Sequence, residues 1–237
     1  MQKTENVLTR LYRDPIKNLS ITGFAENNNI TAVKVYKNSL YLKGTSDHSW
    51  IYFSCGNEEE LCYLINELQD NDEYFASLED WMLPHVTKHK NIEWLLTTMR
   101  LYLPANASLE RNTFPVTKLS PEDSDFILDN SNYKNFLSVE YLQERIQKSY
   151  SAGIRENGKL VAWGLTHDDG ALGSLHVLEN HRGNGYGKAI VTSLIEQCRA
   201  GGKIPFAQIE EKNLPALGLV QKLGFKEDRR VTWIKLK

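Results

Sequence analysis

The sequence predicts an α+β protein in two parts, residues 1–112 and residues 113–237. Short segments rich in β-branched and aromatic residues recur along the chain and alternate with amphipathic helical segments. A polar stretch of small residues at positions 105–112 separates the two parts. The chain has 237 residues, 41% of them hydrophobic, which is enough for two small domains that each bury a core.

The first part is predicted to be a small mixed domain. Asn57 precedes three glutamates and an apolar series, which predicts a capped helix whose acidic first turn complements the helix dipole. A second helix is predicted at residues 78–89. Strands are predicted at residues 31–36, 39–43, 49–54 and 94–103.

In the second part, strands and helices alternate clearly. Ser120 followed by Pro121 and two acids predicts a helix start. Asn157 and Gly158 form the centre of a predicted hairpin turn. Further helices are predicted at residues 138–149, 187–200 and 213–223, and strands at residues 114–119, 152–155, 160–166, 171–178, 204–209 and 231–236.

Composition narrows the classes of function. The net charge is −2, from 28 basic and 30 acidic residues, so a nucleic-acid partner is not expected. The three cysteines (Cys55, Cys62 and Cys198) are few and far apart, which argues against a disulfide framework or a metal site. No apolar run reaches the roughly 18 residues of a membrane span. The N-terminal segment lacks the apolar core of a secretory signal and mixes acids with bases, so a cytoplasmic location is expected, with a mitochondrial one left open.

The strongest chemical signal is the segment RGNGYG at residues 182–187, called the glycine loop below. Its glycines allow a tight turn that directs backbone N–H groups at an anion, and the helix that follows adds the positive end of its dipole. A Walker A loop is excluded because Gly183 to Lys188 is one residue short and Ala189 has no hydroxyl. A Rossmann fingerprint is excluded by the GxGxG spacing and by the preceding β-hairpin.

Two segments in the correct order resemble the signatures of a known superfamily. Leu175 and Val177, followed by the glycine loop, resemble the acyl-CoA-binding motif of the GNAT superfamily of N-acyltransferases. The segment from Asn213 to Phe225 resembles the second signature, NxxAxxLYxKxGF. Residues 156–163 and 202–206 resemble the glycine N-acyltransferase-like branch. The resemblance implies a GNAT fold with a mixed, splayed central sheet, preceded by an N-terminal domain that is a degenerate GNAT-like repeat.

The resemblance also implies roles for individual residues. Acetyl-CoA or another acyl-CoA would be a substrate, with no metal. The backbone of Leu175 and Val177 would pair with the pantetheine arm, the N–H groups of the glycine loop would hold the pyrophosphate, and Asn213 would anchor the arm near the thioester. The implied acyl-CoA-binding residues are Leu175, Val177, Arg182, Gly183, Asn184, Gly185, Tyr186, Gly187, Lys188 and Asn213.

The catalytic positions of the superfamily are less well matched. The glutamate that several members use as general base falls on Ala171, and the thiolate-protonating tyrosine falls on Val220. Asp169 is a candidate base, because strand alternation puts it on the same side as Ala171. His176 is a second candidate, with an unperturbed pKa of about 6.5, although alternation points it to the opposite face.

Three functions follow from these patterns. The first is transfer of an acyl group from CoA to the amine of a small molecule such as glycine or another amino acid. The second is an acyl-CoA-binding or regulatory module that has lost its base. The third is a protein or peptide N-acetyltransferase, for which the acids at residues 58–60 would attract a basic substrate. The oligomeric state is left open.

Overall fold

The computed structural model describes residues 2–88, 90–131 and 133–237. Within these residues the helices are α1 (Gln2–Leu11), α2 (Leu19–Asn27), α3 (Glu58–Ile65), α4 (Leu83–Val86), α5 (Ser124–Asp129), α6 (Val139–Lys148), α7 (Tyr186–Ala200) and α8 (Leu214–Lys222). The strands are β1 (Asn29–Tyr36), β2 (Ser39–Thr45), β3 (Ser49–Ser54), β4 (Tyr74–Glu79), β5 (Ile92–Tyr102), β6 (Ser151–Glu156), β7 (Lys159–Thr166), β8 (Leu172–Val177), β9 (Phe206–Ile209) and β10 (Lys226–Leu236). None of the helices in this part of the chain is long and apolar enough to cross a membrane.

The chain packs as two compact units. The first runs to Arg100 and includes the C-terminal segment Asp228–Lys237, and the second is Leu101–Glu227. This division differs from the predicted boundary at residue 112 because β10 pairs antiparallel with β4, in the sheet of the first unit. A strand can join a sheet far from it in sequence, so the polar stretch at residues 105–112 gave no sign that the C-terminal strand belongs to the first unit.

The first unit is a mixed sheet in the order β1-β2-β3-β4-β10-β5. β1, β2 and β3 form an antiparallel meander, and β3 then pairs parallel with β4 through the crossover that contains α3. The four central residues of β3 are buried, as expected for a strand covered on both faces. One core cluster includes Ile51, Phe53 and Phe75, and a second includes Phe24, Trp50 and Tyr52.

The second unit has strands in the order β9-β8-β7-β6, with α7 connecting the parallel pair β8 and β9. Trp163 and Leu165 of β7 join a core cluster with residues of α5 and α6. Gly164 between them faces the other way, where an added Cβ would lie 2.8 Å from Ile190 of α7. The absence of a side chain at Gly164 therefore lets α7 pack directly on this face of the sheet.

Most predicted elements are confirmed, and the differences have local causes. The predicted helix at 78–89 is wrong in its first part: β4 extends to Glu79, and α4 covers only Leu83–Val86. His89 lies outside the described residues. The predicted strand at 114–119 is a single bridge between Thr117 and Gly153, since Pro115 has no N–H to extend a ladder. The helices α1 and α2 were not predicted.

Candidate functional site

The glycine loop forms an exposed turn at the start of α7. Gly183 and Gly185 have positive φ angles of 81° and 84°, a conformation that favours glycine. The first bond within the helix runs from the N–H of Ala189 to the carbonyl of Gly185 at 3.0 Å. The N–H groups of the first turn therefore point beyond the helix without intrahelical acceptors. Residues 182–185 are exposed, so these N–H groups and the helix dipole are available to a phosphate.

The corresponding helix start in the first unit is chemically opposite. α3 follows β3 and leads to a parallel strand, as α7 does after β8. At α3, however, the Asn57 side chain accepts the N–H of Glu60 at 2.9 Å, and three glutamates occupy the first turn. These acids also have partners of their own, since Glu60 hydrogen bonds with Ser39 and Glu59 pairs with Lys37. Of these two helix starts, α7 is therefore the one suited to an anion.

Two polar side-chain pairs lie at the glycine loop and the first turn of α7. The Tyr186 hydroxyl donates to the Glu156 carboxylate, and this hydrogen bond raises the pKa of Tyr186. Lys188 forms an ion pair with Glu110, which lowers the pKa of Glu110. Both groups of that pair are substantially exposed, so the pair contributes little stability and Lys188 can exchange its carboxylate for a phosphate.

β8 is interrupted by a bulge at its centre. His176 lies opposite Trp163 and Gly173 lies opposite Leu165, so Ser174 and the residue after it face Gly164 alone. Ser174 has a positive φ angle of 48°, which is uncommon for a residue with a side chain. Bulges of this kind redirect side chains and often border functional sites.

Beside the bulge, β8 and β9 separate. Among the described residues their register is one pair, Leu172 with Ala207. The N–H of Leu178 bonds to β7, so by backbone alternation the polar groups of Val177 and Leu175 point to the opposite edge, toward the gap. The Arg182 Nε donates to the Val177 carbonyl at 3.1 Å. The splayed sheet predicted from the sequence is thus present, with the backbone of β8 along one side of the gap.

Asp169 connects the turn before β8 to β9, at the end of the gap where these two strands are paired. Its Oδ1 accepts the N–H of Ala171 at 3.0 Å, and its Oδ2 accepts the side-chain amide of Gln208 on β9 at 2.6 Å. The side chain is buried, and both oxygens already accept hydrogen bonds. The carboxylate therefore links the turn before β8 to β9, and its role as a base stays a prediction, because each carboxylate oxygen has a second lone pair.

His176 packs on the indole ring of Trp163. The two rings are 4.7 Å apart and nearly parallel, with an interplanar angle of 19°. Burial, and secondarily the Arg182 charge, lower the pKa of His176. The expectation that His176 and Gly173 lie on opposite faces is wrong: their partners Trp163 and Leu165 share one core cluster, because the bulge shifts the alternation.

Asn213 begins α8 near the end of β9. Its Oδ1 accepts the N–H of Ala216 at 3.3 Å, which confirms the predicted N-cap. Nearby, the Tyr133 hydroxyl donates to Glu210 at 2.9 Å. Burial and the hydrogen bond to this carboxylate raise the pKa of Tyr133 to about 12. A hydrogen bond with the Asn213 side chain partly opposes this increase. Tyr133 and Glu210 were not predicted, because their contact joins residues far apart in sequence.

The structure also brings His167 and Tyr141 together, which the sequence analysis missed. The Tyr141 hydroxyl lies 3.3 Å from His167 Nδ1, and the His167 ring lies over Gly173 of β8. One sequence feature could have indicated this contact: His167 lies directly before the turn that leads into β8. The two positions that lack catalytic groups, Ala171 and Val220, are both buried.

Comparisons with known proteins agree with this architecture. Residues 151–234 match the family model described as FR47-like protein. A Drosophila protein of known structure has a TM-score of 0.79 at 17% identity, with 100% of this chain and 96% of that chain covered. A GCN5-related N-acetyltransferase from Kribbella flavida has a TM-score of 0.59 at 13% identity, covering 93% and 94%. No curated protein matches the sequence significantly.

A protein described as a tandem GNAT protein is similar in structure over almost the whole chain. A tandem GNAT protein from the clavulanic acid biosynthesis pathway has a TM-score of 0.52 at 11% identity, covering 92% of this chain and 87% of that chain. The predicted α+β GNAT fold with a mixed sheet is therefore confirmed, with likeness to tandem GNAT structures over almost the whole chain.

Proposed function

We propose that this protein is an N-acyltransferase that moves an acyl group from CoA to the amine of a small molecule. The observation that carries the proposal is the glycine loop, which offers exposed N–H groups at the start of α7 beside the gap between β8 and β9. A pyrophosphate suits these N–H groups, and an amide-containing arm suits the open edge of β8.

The acyl-CoA would use both parts of this surface. The N–H groups of residues 182–187 would bind the pyrophosphate, with Lys188 supplying a compensating charge once it leaves Glu110. The pantetheine arm would take up hydrogen bonds from the backbone of Leu175 and Val177. Arg182 would then give up the Val177 carbonyl that it contacts at 3.1 Å. Asn213, which begins α8 beside the gap, would lie toward the thioester end.

The chemistry requires a neutral amine, a donor for the tetrahedral oxyanion and an acceptor for the amine proton. Attack forms a C–N bond at the thioester carbon, and collapse breaks the C–S bond and releases CoA. A backbone N–H of β8 at the bulge would stabilise the oxyanion, because the gap leaves that edge unpaired by β9. The buried Val220 offers no group to protonate the thiolate, which leaves without a tyrosine at that position.

We further propose an acceptor that carries a carboxylate, as in the glycine N-acyltransferase-like branch. Arg145 of α6 is completely buried, and none of its three guanidinium nitrogens has a well-aligned hydrogen bond among the described residues, although its Nη2 is close to the carboxylate of Glu144. Its charge is 3.2 Å from Glu144 and stacks over the ring of Tyr141, one helical turn away, at 5.7 Å. The ion pair with Glu144 leaves the other N–H groups of this buried guanidinium without well-aligned hydrogen bonds, and a substrate carboxylate would supply two parallel ones.

The test has two steps. Calorimetry with CoA, acetyl-CoA and longer acyl-CoAs measures binding, and a thiol reagent then follows CoA release with glycine, other amino acids, ethylamine and a lysine-containing peptide. We expect binding, followed by release with amino acids, and a KM for glycine well below that for ethylamine. Substituting Arg145→Met should raise the KM for glycine and leave that for ethylamine nearly unchanged.

Other outcomes would favour the alternatives. Acyl-CoA binding with no release under any amine would replace the enzyme with a binding module, an option that the missing groups at Ala171 and Val220 keep open. Release with the peptide alone would identify a peptide N-acetyltransferase. The acids of α3 do not favour that reading, because Glu59 and Glu60 already pair within the first unit. Absence of CoA binding would refute the proposal.

A further inference from the structure

An exposed cysteine of the first unit has a histidine as its partner. Cys62 of α3 is exposed, whereas Cys55 and Cys198 are buried. The Sγ of Cys62 lies 3.6 Å from Nδ1 of His85 on α4, which is within hydrogen-bond distance for sulfur. On the other side of the ring, Nε2 lies 3.8 Å from Oε1 of Glu58, one helical turn before Cys62. The imidazole therefore stands between a thiol and a carboxylate.

The packing of α3 and α4 holds the thiol and the imidazole together. Both helices contribute residues next to this pair to one buried core cluster, namely Leu61, Leu64 and Val86. The His85 side chain is itself only 27% exposed, so its ring has limited freedom to move away. The thiol, in contrast, stays exposed at the surface. A small molecule in solution can therefore reach Cys62 while His85 remains beside it.

The other charged groups around α3 have partners elsewhere. α3 packs against β1, β2 and α4. The pairs formed by the remaining charged side chains of these elements are Glu59 with Lys37, Glu60 with Ser39, Lys34 with Glu67, and Lys43 with Asp72. Of the three acids in the first turn of α3, Glu58 is thus the one that faces the imidazole. Its negative charge stabilises a protonated ring, although its exposure keeps this effect modest.

We propose that Cys62 is a modification site, at which the thiol exchanges with small disulfides and His85 acts as the positioning residue that takes the thiol proton. The proton moves from Sγ to Nδ1, and the thiolate attacks one sulfur of the disulfide. A new S–S bond forms to Cys62, and the S–S bond of the small molecule breaks. The departing thiolate then takes the proton from the imidazolium. One sulfur is oxidised and another is reduced, so no other oxidant is needed.

The chemistry of the group favours this use over metal binding. Among the residues that the structure describes, no set of three or more His, Cys, Asp or Glu side chains is arranged to hold a metal ion. Exchange with a disulfide requires only an accessible thiolate and a nearby acid for the leaving group, and Cys62 and His85 supply both. Because the site lies within the first unit, its test needs no acyl-CoA and is independent of the proposed function.

The first measurement uses the wild-type protein alone. Its reaction with 2-hydroxyethyl disulfide is followed by mass spectrometry, which counts and locates the adducts. Below about pH 8, an ordinary thiol reacts about tenfold more slowly for each pH unit, because the thiolate fraction falls. The wild-type rate should fall less steeply, with a single adduct at Cys62. A tenfold fall per pH unit, or an adduct at another cysteine first, would overturn the proposal.

The second measurement removes the imidazole. His85→Gln should react about 3- to 10-fold more slowly than the wild type at about pH 6.5 and at a similar rate at about pH 9.5, where a thiol ionises without help. A single adduct shows that the variant is folded, because the other two cysteines are buried; if it unfolds, the wild-type profile decides. Equal rates at about pH 6.5, or the same loss at both pH values, would overturn the role of His85.

Two neighbouring glutamates provide a matched control. Glu58→Gln and Glu59→Gln remove the same charge from the same turn of α3, but Glu59 pairs with Lys37 and Glu58 faces His85. Glu58→Gln should slow the exchange at about pH 6.5 by about twofold, as expected for an exposed charge pair. Glu59→Gln should not slow it. A loss in Glu59→Gln with none in Glu58→Gln would contradict the arrangement of carboxylate, imidazole and thiol.

Discussion

Two glycines with the same backbone geometry allow a sharp test of the glycine loop. Gly183 and Gly158 have φ angles of 81° and 78°, both are exposed, and an added Cβ would meet nothing within 4 Å at either position. Gly158 lies in the turn between β6 and β7, outside the glycine loop. Substituting glutamate at either site therefore adds the same charge and the same strain, about 1–2 kcal/mol for a residue with a side chain in the left-handed region.

The two variants should differ in CoA binding. Unit charges 4 Å apart repel by about 1 kcal/mol in water and about 4 kcal/mol at a protein surface. Against a pyrophosphate of roughly two charges, partly screened by salt, Gly183→Glu should cost about 1.5–3 kcal/mol of binding, or roughly 10- to 150-fold in Kd. Gly158→Glu should leave the Kd unchanged, and both variants should lose similar stability.

Calorimetry of CoA binding at low and moderate salt measures the difference, and thermal denaturation checks the matched strain. The penalty in Gly183→Glu should shrink as ionic strength rises, because the repulsion is between charges near solvent. Equal CoA affinity in the two variants would refute the assignment of the pyrophosphate to residues 182–187. A larger loss in Gly158→Glu would place the ligand elsewhere.

Three further predictions concern stability and reactivity. Burial lowers the pKa of His176, so near pH 6 the unfolded chain binds more protons at this residue than the folded chain does. The stabilisation is complete above the pKa of the unfolded state and is lost as pH falls through the lower pKa of the folded state. His176→Phe should therefore flatten the fall in Tm between about pH 7.5 and about pH 5.5, and an unchanged slope would contradict this. Cys62 is exposed, whereas Cys55 and Cys198 are buried, and burial raises the thiol pKa of both to about 12. A thiol reagent should therefore modify Cys62 quickly in the native protein and the other two cysteines only after denaturation. Arg100→Met should destabilise the fold by about 1–3 kcal/mol in urea unfolding, because the buried Asp228 loses the Arg100 guanidinium and keeps only its ion pair with Arg229. A change below about 0.5 kcal/mol would mean that the pair with Arg100 contributes little.

The sequence predicted the second unit well because its signals are local. Alternating apolar residues define β7, the Asn-Gly pair defines the hairpin, and Ser138 begins α6 with the expected N-cap hydrogen bond to Tyr141 at 3.1 Å. The glycine loop could be located for the same reason, since a positive φ angle and an exposed helix start depend on residues next to one another. In the first unit, β4 was not predicted, and its last two residues were included in the predicted helix at 78–89 because the apolar series continues into the helical turns at Trp81 and Leu83.

The contacts made by the candidate catalytic residues are not encoded by any local sequence pattern. Asp169 accepts hydrogen bonds from Ala171 and Gln208, and its role as a base stays a prediction. The contact between Tyr141 and His167, and the room that Gly173 leaves for the His167 ring, also appear only in the tertiary structure. The bulge in β8 determined the face of the sheet on which each side chain of β8 lies, because the residue with a positive φ angle shifts the alternation of all later side chains in the strand.

The sequence by itself determined the conformation of the glycine loop, because a glycine-rich turn before a helix depends on adjacent residues; that an anion binds there stays a prediction. The sequence also determined the α+β fold class, through hydrophobic periodicity and turn residues. Only the tertiary structure decided that β10 returns to the first unit and that Arg145 is buried without a well-aligned hydrogen bond among the described residues. These features arise from pairs of residues distant in sequence, and their positions are set by packing of whole elements.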